Sequence, residues 1–412
     1  MKHLGDITKI NGYDTPPVNV IIGGSPCQDL SVAGKRAGLA GERSGLFMEQ
    51  IRIIKEMREE SERSGATDIK PRFMVWENVP GAFSSNKGQD FRAVLEETIG
   101  IVKEDKSDIP VPKNGWHYSG IIMGDGFSLA WRVFDAQFWG VPQRRRRIAL
   151  VADFGGQSAL EILFERKGVS RYTPPSRTPW ETFAAALAKR FGGADKAREN
   201  SELAYCIQGN CIDRDQFVVQ TPKHNIINAT PGSFMNFDDK GLAFTLSARD
   251  YKDPQYVCLN SFDCQSKRVF DTSGVAPTLA SGTNEGMNIV PSVLEHSTVR
   301  RLTPLECERL QGFPDGWTDI DDYIDTNGKK RKTSDSARYK ALGNSIALPS
   351  WAWVLERLSY CCGADRTMAS LFDGIGGFPL IWETLNGAGT CLWASEIEEF
   401  PIAVTKLRFG ED

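Results

Sequence analysis

The chain has 412 residues, 41% hydrophobic and 25% charged, the make-up of a globular protein with room for one large domain and a second. A formal net charge of -4 leaves no overall electrostatic footprint for nucleic acid, so any such partner must be held by local basic patches. No apolar run is long enough to span a membrane and no signal-peptide pattern occurs, so a cytoplasmic protein without a membrane partner is expected.

Taken in order, the first residues lead through a Pro16-Pro17 loop to an apolar, β-branched run at 18–22 of buried-strand type. That run ends in Gly23-Gly24-Ser25-Pro26-Cys27-Gln28. Open α/β sheets place reactive groups at the carboxyl ends of strands, so Cys27 is a candidate nucleophile. Its alternative is a buried, inert thiol, the commoner fate of a lone cysteine. Residues 29–45 form a glycine-punctuated basic loop of the length that often serves as a lid. Apolar spacing predicts a helix over 46–57. Phe73-Met74-Val75-Trp76 is a second buried strand, ending in Glu77-Asn78-Val79-Pro80-Gly81, and a helix is expected at about 88–99. Residues 129–138 begin extended and lead to Gly140-Val141-Pro142-Gln143.

Arg144 to Arg147 then enter the buried strand 148–151. In extended backbone alternate residues face opposite ways, so Arg145 and Arg147 share one face and Arg144 and Arg146 the other. From about 153 to 295 apolar runs shorten and polar turn residues are scattered, apart from a helix at 180–190; a separate loop-rich domain that carries specificity is expected. Thr303, Pro304 and Glu306 make a capping box with proline at the first helical position. Polar residues at 320–337 follow, and then an apolar helix at about 349–360.

The last fifty residues read strand, glycine turn, helix, strand, acid: 368–372, Asp373-Gly374-Ile375-Gly376-Gly377, a helix, 390–394, then Ser395-Glu396. Glu396 follows the glycines by about 20 residues, the interval kept by the ribose-binding acid of a nucleotide-binding βαβ unit. Of the nine cysteines none forms a Cys-x-x-Cys pair, and none of the four histidines is paired nearby, so neither a metal nor a disulfide framework is expected.

Together these motifs resemble the DNA cytosine-5 methyltransferases of bacterial and phage type. The likeness rests on Gly24 to Gln28, Glu77-Asn78-Val79, Gln143 to Ile148, Gln311-Gly312-Phe313-Pro314, Gly343-Asn344-Ser345 and Phe372 to Gly377. It implies an α/β, Rossmann-like S-adenosylmethionine-dependent methyltransferase fold, a doubly wound mixed sheet, with a smaller irregular, β-containing target recognition domain. The expected divisions are 1–152, 153–296 (target recognition), 297–362 and 363–412. The cofactor motif comes last here, whereas the family usually begins with it. Joined end to start, 406–412 runs into the Gly5-Asp6-Ile7 motif in the family's order, so a circularly permuted chain is expected.

By the resemblance, Cys27 adds to carbon 6 of a flipped-out cytosine, making carbon 5 nucleophilic, while Glu77 holds the ring's N3 and amino group. Arg145 and Arg147 stabilise charge on the base and orient Cys27. Phe372, Gly374, Gly377, Glu396 and Ile397 would bind S-adenosylmethionine, with Asp6, Ile7, Pro26, Leu46 and Asn344 completing the pocket. Gln28, Ser31 and Lys35 would lie near double-stranded DNA. Thr278 and Leu279, or in competition Thr245 and Leu246, would belong to the recognition domain. A monomer is expected, with a restriction endonuclease as a possible partner. The competing readings are an RNA cytosine-5 methyltransferase, a non-catalytic DNA- or S-adenosylmethionine-binding module, and a dinucleotide oxidoreductase suggested by the glycine turn alone.

Overall fold

The computed structural model describes residues 1–25, 45–103, 108–164 and 302–410, with the backbone of short strands between 226 and 301. The expected lid, the helix at 180–190 and most of the irregular region lie outside the described residues. In chain order come β1 (Lys2–His3), β2 (Val20–Gly23), α1 (Leu46–Arg63), β3 (Phe73–Asn78), α2 (Gln89–Ile99), β4 (Ser119–Gly124), β5 (Phe127–Asp135), β6 (Arg146–Asp153) and α3 (Ala159–Leu163). The intervening strands are β7 (Ile226–Asn228), β8 (Asn236–Asp238), β9 (Tyr256–Val257), β10 (Val269–Asp271), β11 (Ser292–Glu295) and β12 (Thr298–Arg301). The chain continues with α4 (Pro304–Gln311), the hairpin β13 (Tyr323–Ile324) and β14 (Lys330–Arg331), α5 (Asp335–Asn344) and α6 (Leu348–Cys361). It closes with β15 (Met368–Leu371), α7 (Gly377–Asn386), β16 (Cys391–Ser395) and α8 (Glu399–Phe409).

Eight strands form one mixed sheet in the order β1-β16-β15-β2-β3-β6-β5-β4. The first five named run parallel, and β6 is antiparallel to both β3 and β5. Alternation along the strands makes both faces apolar. Val20, Ile22, Phe73 and Val75 face one core with α3 to α7, while Ile21, Met74 and Trp76 face a second with α1 and α2. This is the expected α/β, doubly wound, Rossmann-like architecture. The pair β15–β16 winds one way from the centre and β2–β3 the other, so the crevice outside the carboxyl ends of β15 and β2 is a topological switch point.

The predicted helices over 46–57, 88–99 and 349–360 are present, and the first runs a further turn and more. The Thr303 capping box is formed, with Glu306 N–H donating to the Thr303 hydroxyl and Thr303 N–H to the Glu306 carboxylate. Two elements differ from expectation. Residues 119–124 form an edge strand, and 335–344 form a helix, capped by Ser334, that begins in the segment read as polar. The domain boundary expected at 153 falls on the last residue of β6, and α3 just beyond it packs Ile162 and Leu163 into the first core. Among the described residues no helix is long and apolar enough to cross a membrane.

Candidate active site

The carboxyl ends of β2 and β3 bring together what the sequence kept more than fifty residues apart. Glu77 is not in the loop after the strand but within β3, paired with Ala149 of β6. Its carboxylate takes an ion pair from Arg147 Nε at 2.8 Å, and both side chains are largely buried. Gly24 lies directly beside it: a Cβ there would sit 3.0 Å from Glu77 Oε2. Arg144 and Arg146 are exposed while Arg145 is 3% exposed, so the predicted alternation holds. Arg145 reaches across to the end of α5, where its Nη2 donates to the carbonyls of Gly343 (3.2 Å) and Ser345. That contact ties the arginine strand to the Gly343-Asn344-Ser345 turn, and Asn344 stands exposed between the two acceptors.

Ser25 leads into Pro26 and Cys27, and two side chains fix it. Trp76 Nε1 donates to the Ser25 hydroxyl at 3.0 Å. Asn78 Nδ2 donates to both the Ser25 carbonyl and hydroxyl at 3.3 Å, and Asn78 Oδ1 accepts from Val79 N–H. Underneath, Gln50 of α1 fills the space over Gly23, where a Cβ would be 2.2 Å from its Oε1. The sequence offered no sign of these supports, because each depends on which neighbour the sheet places opposite.

The second constellation lies at the ends of β15 and β16. Phe372 has φ +55°, a left-handed conformation uncommon for a bulky residue and a mark of functional sites. Gly374 also has positive φ, and a Cβ on it would meet nothing within 4 Å, so its backbone borders open space. The Glu396 carboxylate accepts from Gly374 N–H at 2.7 Å and from the N–H groups of Ile397 and Glu398 at 2.8 and 2.9 Å. Ile397 is 68% exposed beside it. Asp6 and Ile7 reach this same edge, because Ser395 Oγ donates to Gly5 O and β1 pairs with β16. Asp6 caps the turn through Thr8, and Ile7 is buried. Leu46 opens α1 against the second core.

The other glycines have a packing reason. A Cβ on Gly376 would strike Phe409 and Thr405 of α8, and one on Gly377 would meet Ile346 at 2.8 Å. Asp373 lies wholly buried behind the loop, and burial pushes its carboxyl up to about 8. Ser370 Oγ donates to Oδ1 at 2.6 Å, and Oδ2 has no partner among the described residues. Pro26, Cys27, Gln28, Ser31, Lys35, Thr278 and Leu279 lie outside the described residues, as do Thr245 and Leu246. Among the described residues no cluster of histidine, cysteine and acidic side chains could hold a metal.

An open glycine turn and a backbone-anchored acid at a switch point are the equipment with which α/β enzymes hold nucleotides, and the carboxylate–guanidinium pair joins β3 to β6 further along the same sheet. The C-5 cytosine-specific DNA methylase family model matches residues 1–101 and 122–359, and the chain belongs to that family. A protein of Escherichia phage P1 named DNA N-6-adenine-methyltransferase is 30% identical over 87% of this chain and 55% of its own length. The type II methyltransferase M1.ScrFI of Lactococcus lactis subsp. cremoris is 24% identical over 86% and 65%, and M.HhaI of Haemophilus parahaemolyticus 23% over 88% and 81%. The chain thus spans little more than half of the first relative and just under two thirds of the second.

Proposed function

We propose that this protein transfers a methyl group from S-adenosylmethionine to carbon 5 of cytosine in double-stranded DNA. The observation that carries the reading is the Glu77–Arg147 pair beside Gly24, which immediately precedes the Ser25-Pro26-Cys27 turn. Carbon 5 of cytosine is too weak a nucleophile to attack a methyl group unaided. Addition of the Cys27 thiolate at carbon 6 makes carbon 5 enamine-like, a covalent activation of the substrate. Glu77 holds the ring's N3 and exocyclic amino group and manages the proton there, and Arg147 fixes that carboxylate and faces the charge that builds on the base. Arg145, on the same face as Arg147, braces the strand on α5. Loss of the carbon 5 proton and of the thiolate restores the aromatic ring. The duplex hides this ring, so the base must be flipped out, and the region between 165 and 301 is the candidate for reading the surrounding sequence.

The cofactor supplies an electrophilic methyl group. Phe372, the open Gly374 backbone and Glu396 fit an adenosyl ligand: an aromatic face, an approachable amide and an anchored carboxylate for ribose hydroxyls. By the same reading Ile397, Asp6 and Ile7 would meet the adenine, and Asn344 would complete the pocket. An oxidoreductase leaves the Glu77–Arg147 pair without a task.

The family match stops at 359, yet β15 and β16 sit inside the sheet beside β2 and β1. The His3 ring and Thr405 hydroxyl are hydrogen-bonded at 2.9 Å, so the first strand and last helix are neighbours. Both facts support a circularly permuted motif order. The phage P1 relative's name introduces a second reading, transfer to the adenine amino group. Nucleoside analysis of DNA from cells expressing the protein separates the two. The expected product is 5-methylcytosine, and N6-methyladenine in its place would overturn the reading.

A further inference from the structure

Beside the site, on the outward face of β6, lies a second built feature that the reaction as described does not use. Asp135 ends β5 directly opposite Arg146, the first residue of β6. Its largely buried carboxylate organises the whole turn. It accepts from Gln137 N–H and Gln137 Nε2 (2.8 Å), from Arg145 N–H (3.2 Å) and from Arg146 Nε (3.3 Å). Trp139 anchors the same turn by packing on Phe134 and Trp353 at centroid distances of 5.3 Å. With both ends so held, Phe138 is left 60% exposed and the Arg146 side chain 63% exposed. Asp135 engages only Arg146 Nε, and the two terminal nitrogens have no acceptor among the described residues. An arginine oriented through Nε with its outer fork open has the geometry of a phosphate clamp.

The location supplies the partner. β6 begins at the edge where β3 ends, and Arg146 is the chain neighbour of Arg147, which holds Glu77. A nucleotide flipped against Glu77 must carry its own backbone phosphates past this rim. We propose that Arg146 binds a DNA phosphate next to the flipped nucleotide and that Phe138 covers the adjoining deoxyribose, with Asp135 as the positioning residue. This rests on the reading of the protein as a DNA cytosine methylase. The contact is independent of base sequence and holds the strand in the flipped state.

The test uses the full chain, S-adenosylhomocysteine and a fluorescein-labelled duplex carrying the site that the wild type methylates. A wild type that methylates no DNA ends the parent reading before this one is reached. Anisotropy titrations across salt are compared for wild type, R146Q, R146K and F138S, with melting temperature recorded for each. R146Q is expected to reduce the slope of log affinity against log salt by about 1, and R146K to keep it. F138S should weaken binding by about fivefold with the slope unchanged, as loss of an uncharged contact requires. Equal slopes in all four proteins, or wild-type affinity in F138S, would overturn the proposal.

Discussion

At the level of single residues Glu77 and Arg147 form one unit. Replacing Glu77 with Gln keeps the shape but removes the carboxylate that Arg147 grips and the carboxyl that supplies a proton to N3 as charge builds there. Turnover is expected to fall by about 10²-fold or more while DNA affinity stays within a few-fold, measured as single-turnover rate against anisotropy. Asp373 gives a prediction about stability. Its folded-state value, pushed up to about 8 by burial, lies above that of an unfolded carboxyl. The folded protein therefore binds the extra proton between about pH 4 and about pH 8, and stability falls as pH rises through that window. Urea unfolding without cofactor should show that decline in the wild type and a flatter profile in D373N. A steeper or unchanged profile in D373N would contradict it. Glu77 and Glu396 were legible as candidates because each follows a strand-like apolar run. Asp373 was not, since burial belongs to the packed loop and not to the residue.

Among the elements, β3 and the turn after β2 act together. Trp76 and Asn78 of β3 hold Ser25, so the residues entering the Pro26-Cys27 turn are tied to the strand that carries Glu77. S25A removes the acceptor for a buried indole N–H, a loss of about 1–3 kcal/mol in unfolding free energy. It should also lower turnover more than DNA affinity, and S25T, which restores the hydroxyl, should recover both. Further along, T303A breaks the capping box of α4 and should cost about 1 kcal/mol, read as a lower urea midpoint with an unchanged m-value. Strands with β-branched runs and helices with sharp caps were legible in the sequence. The edge strand β4, uncharged and broken by Gly120 and Gly124, was not, because its glycines are there to let Trp131 and Phe127 lie across it. Helix α5 was hidden by its charged residues, which spend themselves on ion pairs such as Arg338–Glu308 and Lys340–Glu398 instead of forming an apolar stripe.

For the whole molecule, the sheet joins the last strands to the first. The glycine turn after β15 and the Gly23-Gly24-Ser25 turn after β2 flank one switch point although more than 340 residues separate them. Motif order alone pointed to this closure, since a strand–turn–helix–strand–acid unit needs a sheet to complete. If the chain is a permutant, moving 368–410 ahead of residue 1 through a short Gly-Ser linker should leave the sheet intact. Such a rearranged protein is expected to melt within a few degrees of the original and to methylate the same DNA. A chain that fails to fold would contradict the permuted reading. How DNA sequence is read was not legible, because the region between 165 and 301 lacks the periodicity that marks packed elements.

Covalent catalysis by Cys27 on cytosine can be trapped directly. The protein is incubated with S-adenosylmethionine and duplex DNA in which the target cytosine is 5-fluorocytosine, then run on a denaturing gel. Fluorine at carbon 5 cannot leave as a proton does, so the account predicts a protein–DNA adduct that survives denaturation and is absent with C27A. No adduct with the wild type, or an undiminished one with C27A, would contradict it.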